Sequence, residues 1–283
     1  MIFGAFIGSA TPVGGGVIAF PVLSFIKHVP SNEAASFCLA MQSFGMTAAS
    51  IAIYRNKIKI NKPLVIYSVL TATIGYIVAI IYIKMPFSPI TLKIFFASFW
   101  LSFGIAIFCL RKNSTISKNK KIYFTAPKIF LLGVISIIGG MITSWIGNGV
   151  DVLFFCSLIL IFSESESIAT ASSVVVMALM SIVSTVINYR LGNYNIHTLD
   201  YLSATIPVVI IFAPLGIIFA TKKGDLFIRK ILLYIVIIQY LTVAFAYFDQ
   251  FSNVVTSFCV IIVSFLALLT INKLFKRTGN EIF

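Results

Sequence analysis

Apolar runs of roughly 20 residues, separated by short polar stretches, recur along the whole chain, and each is long enough to cross a hydrocarbon core as a helix. The pattern predicts such helices over 34–54, 63–83, 90–110, 167–189, 201–221, 230–248 and 253–274. Two further apolar regions are interrupted. Residues 1–27 are broken by Pro12 and Gly14-Gly15-Gly16, and residues 128–162 by Gly147-Asn148-Gly149. The longest polar stretch, 111–127, divides the chain near its middle and reads as a linker.

Composition sharpens this picture. The chain is 59% hydrophobic and 10% charged, against about 45–50% and about 25% in a soluble domain. It cannot cover one core with a polar skin, and its mean hydropathy of +1.05 indicates a polytopic membrane protein. Most soluble enzyme classes are thereby excluded. The net charge of +13 lies between apolar runs, where cations set membrane orientation, so a nucleic-acid partner is not expected. Cys38, Cys109, Cys156 and Cys259 lie inside apolar runs without metal or disulfide spacing. Residues 1–27 lack a basic start and run into glycines, so no cleavable signal peptide is read there.

The halves read as repeats. Gly14, Gly16 and Val17 match Gly147, Gly149 and Val150 at an offset of 133, and the same offset takes Glu33 to Glu166. Tyr54-Arg55 matches Tyr189-Arg190 at 135, and Gly75 matches Gly216 at 141. The shared order makes duplication the economical reading.

The cations then orient the halves. If every apolar region crosses once, the two sides hold 11 and 10 Lys+Arg, which gives no bias. If 128–162 enters and returns to its own side, the counts become 17 and 4. The positive-inside rule selects this second arrangement. Loops 55–62, 111–128 and 222–230 and the C-terminus are then cytoplasmic, and the second half is inverted relative to the first. The expected fold is all-α, with two inverted repeats, broken or re-entrant helices at the glycine-rich motifs, and about 7–9 membrane segments. The first repeat is 1–110, the linker 111–127 is basic and cytoplasmic, and the second repeat with an extra C-terminal helix is 128–274. A short tail, 275–283, follows.

Broken backbone at membrane depth survives only inside protein or beside a water-filled cavity. Helices starting after Gly16 and Gly149 would aim free N–H groups and a positive dipole end at the break, which suits an anion. Gly14, Gly15, Gly16, Gly147, Asn148 and Gly149 are therefore the candidate substrate-binding residues. Plain turns or close helix packing would also use glycine; two clusters at equivalent places favour the site.

The segments "GSATPVGGGVIAFPVLSF" and "NEAASFCLAMQSFGMTAASIAIYRN" resemble the TauE/SafE sulfite-exporter family of integral membrane permeases. "GGMITSWIGNGVDVLFFCSLILIFSESESIATASSVVVMALMSIVSTVINYRLG" resembles its repeated motif. The likeness covers about 1–75 and 130–220. It implies export of sulfite, sulfonates or related sulfur-containing organic anions. This chain departs from the pattern at Asn148, where glycine is frequent, and at Asp151.

Asp151 is the acidic residue farthest from a segment end. A charge at such depth costs at least about 2.5–3.5 kcal/mol, so Asp151 reads either as a proton- or cation-coupling group or as a cap on its own helix start. Glu33 and Glu166 read as helix-start caps, and Arg55 and Arg190 as interfacial residues that snorkel. Gln42, Ser172 and Ser173 are the candidate pathway residues, and either line a path or bond across helices. Pro207 and Pro214 suggest a kink within 201–221, and His28 and His197 read as ordinary loop residues. "GNGVD" misses the intramembrane aspartyl protease spacing by one residue and lacks a second deep aspartate. With no zinc or phosphate-loop motif either, an enzyme is not expected, no cofactor is implied, and gradient-driven transport is the reading. The expected partners are a small anionic substrate, the lipid bilayer and a coupling proton or cation; homo-oligomerisation is left open. The expected location is the cell membrane. The alternative is a channel or a non-transporting scaffold, which a liposome flux assay would separate from a carrier.

Overall fold

Glycine and proline punctuation cuts the apolar chain into helices. The computed structural model describes residues 2–12, 14, 23, 29–83, 88–110, 125–194, 196–248 and 250–277. Among these the helices are α1 (Ile2–Ala10), α2 (Ser31–Arg55), α3 (Lys62–Tyr82), α4 (Pro89–Leu110) and α5 (Ala126–Ile146). They continue with α6 (Val150–Leu160), α7 (Glu166–Arg190), α8 (Ile196–Lys223), α9 (Asp225–Tyr247) and α10 (Phe251–Arg277). No strand occurs among the described residues. By length and composition α2, α3, α5, α7, α8, α9 and α10 can each cross a membrane, and α4 is 22 residues long. The chain is an all-α, multi-pass integral membrane protein.

Helix limits follow the expected spans within about five residues; α8 and α9 both start five residues early, and the second of these is informative. The span expected at 230–248 starts instead at Asp225, because Gly224 (φ +84°) makes the turn alone. Asp225 then stands in the first turn, where a negative charge suits the helix dipole. Helix α8 runs through both Pro207 and Pro214. The 128–162 region is a hairpin of unequal limbs. Its first limb, α5, has 21 residues and its second, α6, has 11, or about 32 and 16 Å at helical rise.

Size, more than polarity, decides which face of a helix turns inward. In α3, Ser68, Ala72, Gly75 and Ala79 are buried, while Ile66, Leu70, Ile74, Ile77 and Ile81 are exposed. Small residues let backbones approach where lipid removes any hydrophobic preference for protein over solvent. The closest approach is α3 against α5. A Cβ at Gly75 would run into the Ile137 carbonyl, and one at Gly140 into that of Ala72. The contact of α8 with α1 is built the same way. A Cβ at Gly216 would strike the Phe6 carbonyl, and the Ser9 hydroxyl donates to Ala213 O at 2.6 Å. Gly75 to Gly216 and Ala72 to Ala213 are both shifts of 141, and Phe6 to Ile137 and Ser9 to Gly140 are both shifts of 131. The first helix of each half thus packs on a helix of the other half.

Hydrogen bonds also sort the connections into two ends. At one end Asn61 Nδ2 donates to Glu164 Oε1 and Asn61 N to Ser172 Oγ, both at 3.0 Å. Ser167 N donates to Asp225 Oδ1 at 2.8 Å. Loops 55–62, 163–166 and 222–230 therefore share that end. At the other end Tyr194 Oη donates to Ser36 O at 3.3 Å, and Lys93 Nζ to Tyr247 Oη at 3.2 Å. A single crossing by 128–162 would put Asn61 and Glu164 on opposite faces of the membrane. Their hydrogen bond requires the hairpin to return to the end it came from.

Helices α4, α9 and α10 form a flanking layer in which α4 packs against both others. Phe103 of α4 meets Phe155 of α6 edge-on at 5.9 Å, joining this layer to the hairpin. Helix α7 packs on α2, α3 and α6 and so runs through the middle of the molecule.

Candidate functional site

The second break is built by its own sequence. Gly147 ends α5 in the left-handed conformation (φ +78°), its N–H donating to Thr143 O at 2.9 Å. A Cβ there would lie 2.8 Å from the Ala35 carbonyl of α2. Thr143 Oγ1 donates to Gly139 O at 2.8 Å and accepts from Val150 N at 3.0 Å, so one hydroxyl pins the start of α6 to the end of α5. Asp151 Oδ1 accepts from Gly149 N at 3.1 Å. The N–H groups of Gly149 and Val150, expected to be free for an anion, are therefore taken by the protein's own Asp151 and Thr143. Asp151 thus bonds back to the turn that precedes its own helix. Its side chain is 1% exposed, and Oδ2 has no hydrogen-bond partner among the described residues.

The first break is seen at Gly14, which is also left-handed (φ +72°); Gly15 and Gly16 lie outside the described residues. A Cβ at Gly14 would sit 2.5 Å from Met177 Cε and 3.1 Å from Asn148 Nδ2. The structure thus brings Gly14 of one break against Asn148 of the other. Their meeting place is beside Met177, the twelfth of the 25 residues of α7, and so half-way along a membrane-spanning helix.

Helix α2 links the two breaks. Ala35, Gln42 and Met46 lie at helical spacings of seven and four, on one face. Ala35 touches Gly147, as above, and Met46 packs in the cluster that contains Met177. Gln42 stands between them, 2% exposed, with Nε2 lacking a hydrogen-bond partner among the described residues. The other expected pathway residues are not brought to the breaks by hydrogen bonds. Ser172 accepts from Asn61 N near the end of the molecule, and Ser173 donates to Thr170 O of its own helix at 3.2 Å. Asn188 donates to Tyr76 Oη at 2.6 Å and so ties α7 to α3.

Sequence reasoning misassigned Glu166. The cap of α7 is Ser165, whose hydroxyl accepts from Ile168 N at 3.3 Å. Glu166 Oε1 instead accepts from Arg229 Nε (3.1 Å) and Nη2 (2.7 Å) in a buried ion pair. Among the described residues no side-chain hydrogen bond caps α2, whose N-cap position is Pro30, so Glu33 is not seen as a hydrogen-bonding cap either. Arg55 and Arg190 are exposed at helix ends, as interfacial cations should be. Thr143 also escaped notice. Its signal was present in its position four residues before Gly147, the reach of an α5 side chain to the turn that follows it. His28 is outside the described residues, as is the side chain of His197.

Among the described residues no group of three or more His, Cys, Asp or Glu could hold a metal ion. The site is a meeting of two backbone breaks, a buried carboxylate with one unengaged oxygen, and a buried amide donor. Comparison with curated proteins and with solved structures finds no match. The family of integral membrane transporters described as "Sulfite exporter TauE/SafE" matches residues 1–243, and that span carries both breaks, Asp151 and Gln42. The chain belongs to the TauE/SafE sulfite exporter family.

Proposed function

We propose that this protein is a secondary permease that moves a small anion (sulfite, a sulfonate or a related organic anion) across the cytoplasmic membrane. The observation that carries the proposal is the contact of Gly14 with Asn148 beside the centre of α7. Two unrelated turns would have no reason to meet at membrane depth. In this reading Gly14–Gly16 and Gly147–Gly149 bound one substrate site, with Gln42 Nε2 offering a neutral N–H donor to an anionic oxygen. Residues 1–110 and 128–274 act as inverted repeats joined by the linker 111–127 on the cytoplasmic side. The matched α3–α5 and α8–α1 crossings and the sorting of loops into two ends support that division. Rocking of one repeat against the other then gives alternating access.

Asp151 is the coupling group in this mechanism. Its carboxylate occupies the positive end of α6, the place an anionic substrate would favour. Ionised, it competes with substrate for the same partial charges. Protonated, it withdraws that competition, so proton and anion would travel together.

The test is flux of radiolabelled sulfite and of a panel of sulfonates into proteoliposomes of the purified protein, with and without an imposed pH gradient. Saturable flux accelerated by the gradient supports a coupled carrier. Non-saturating, gradient-insensitive flux points to a channel, and no flux for any anion tested points to a scaffold.

A further inference from the structure

Where the two breaks meet, the protein supplies no cation. Among the described residues placed there, Asp151 is the one formally charged side chain, and it is an acid. The chain itself keeps bases away. No Lys, Arg or His occurs in 1–26, 31–54 or 129–189, the stretches that carry both breaks and the bodies of α1, α2, α5, α6 and α7. Met177 is thirteen residues from Arg190, and Gln42 is thirteen from Arg55, about 20 Å along either helix axis. Helix α8, packed on α2, has no Lys or Arg before Lys222, and α3, packed on α7, has none after Lys62. Arg229 of α9 reaches α7 at Glu166 and is paired there. That is eleven residues before Met177, or about 16 Å along α7.

What remains for an anion is dipolar. Gln42 is 2% exposed, and its Nε2 has no hydrogen-bond partner among the described residues. The start of α6 adds a positive end worth about half a charge. Asp151 already stands in that first turn, with Oδ1 accepting from Gly149 N. Leaving water costs an ion in proportion to the square of its charge, so a dianion loses about four times the hydration of a monoanion of equal size. Interaction with fixed dipoles grows only in proportion to the charge. An amide N–H and a helix end can therefore offset the desolvation of one charge far better than that of two.

We infer that the site selects its substrate by charge: it takes an oxyanion of one negative charge, such as hydrogensulfite or a sulfonate, and rejects a dianion of the same shape, such as sulfate. This rests on the permease reading above and narrows it. Sulfite crosses in its singly protonated form. Selection against the second charge needs no contact that recognises sulfur. It follows from placing a cation-free site at the middle of the membrane.

The experiment measures saturable uptake of radiolabelled methanesulfonate into proteoliposomes at one fixed pH and ionic strength, against unlabelled competitors. Sulfate puts a charged oxygen where methanesulfonate has a methyl group, at nearly the same size. Methyl sulfate is larger than sulfate but carries a single charge, so it separates charge from size. Methyl sulfate should compete within a few-fold of unlabelled methanesulfonate. Sulfate should compete about a hundredfold more weakly, the effect of one unmatched charge at membrane depth. Equal competition by sulfate and methyl sulfate, whether strong or weak, overturns the charge selection and leaves the permease reading standing. Uptake of radiolabelled sulfate without uptake of methanesulfonate does the same. No saturable uptake of sulfite, methanesulfonate, methyl sulfate or sulfate overturns the permease reading, and this inference with it. Gln42→Lys raises the formal charge of the site by one and should improve sulfate relative to methanesulfonate about tenfold or more. A folded Gln42→Lys protein that keeps the wild-type ratio overturns the electrostatic cause. If that variant fails to fold, the wild-type competition decides the matter alone.

Discussion

The two breaks share a left-handed glycine but not its surroundings. Gly147 is set against main chain, the Ala35 carbonyl, which cannot move without moving α2. Gly14 is set against side-chain ends, the Met177 methyl and the Asn148 amide. The second break is further fixed by Thr143 and Asp151, each bonded to a backbone N–H of the turn. One break is thus a rigid fixture, and the other faces groups that can yield. A site between them would combine a fixed wall with a compliant one, the arrangement expected where a solute must both bind and leave.

Substitutions can break this comparison, and the largest effect is expected at the rigid side. Gly147→Ala adds about 1–2 kcal/mol of left-handed strain and about 1–3 kcal/mol of overpacking against Ala35. It should sharply reduce the yield and melting temperature of detergent-solubilised protein. Thr143→Val keeps the shape but leaves the buried Val150 N–H without an acceptor, at about 1–3 kcal/mol. Thr143→Ser should restore most of the loss in the same melting assay. Gly14→Ala should cost less than Gly147→Ala, about 1–2 kcal/mol, because the strain is shared but Met177 can swing aside. Its cost should also be non-additive with Met177→Ala, since the two residues touch. Equal losses at Gly14 and Gly147 would remove the distinction between a rigid and a compliant break.

Asp151→Asn sharpens the comparison with the smallest effect on stability. Asn is nearly isosteric, and its side-chain oxygen can still accept from Gly149 N. Melting should change by less than about 1 kcal/mol, the net worth of an ordinary hydrogen bond, while acceleration of flux by a pH gradient should vanish. Wild-type pH dependence in this variant would leave Asp151 as a cap and no more.

Much of this was legible in the sequence, because the relevant forces are local. Apolar runs gave the spans, the glycine clusters gave the breaks, and Gly75 and Gly216 were recognisable as equivalents before their carbonyl contacts were seen. The partner sides of those crossings were not. Ser9 and Gly140 correspond at 131 while the breaks correspond at 133, and a serine that bonds a carbonyl does not look like a glycine that clears one. Arg229 lies 63 residues from Glu166, and no periodicity announces such a pair. Glu166 alone resembled a helix-start cap, and Arg229 one more cation of loop 222–230. The N–H groups at the start of α6 were read as open because a helix start implies them. Whether a threonine one turn back or an aspartate two residues on occupies them depends on side-chain geometry that spacing does not specify.

The central claim is that both breaks bound one anion site. The direct test is substrate protection of two single-cysteine reporters, Met177→Cys beside Gly14 and Asn148→Cys in the second break, in a cysteine-free background that retains flux. The rate of alkylation of each by a small maleimide is measured in proteoliposomes against rising concentration of a transported sulfonate. The account predicts that both are protected and that half-protection falls at the same concentration. Protection of one alone, or half-protection at clearly different concentrations, would contradict a shared site.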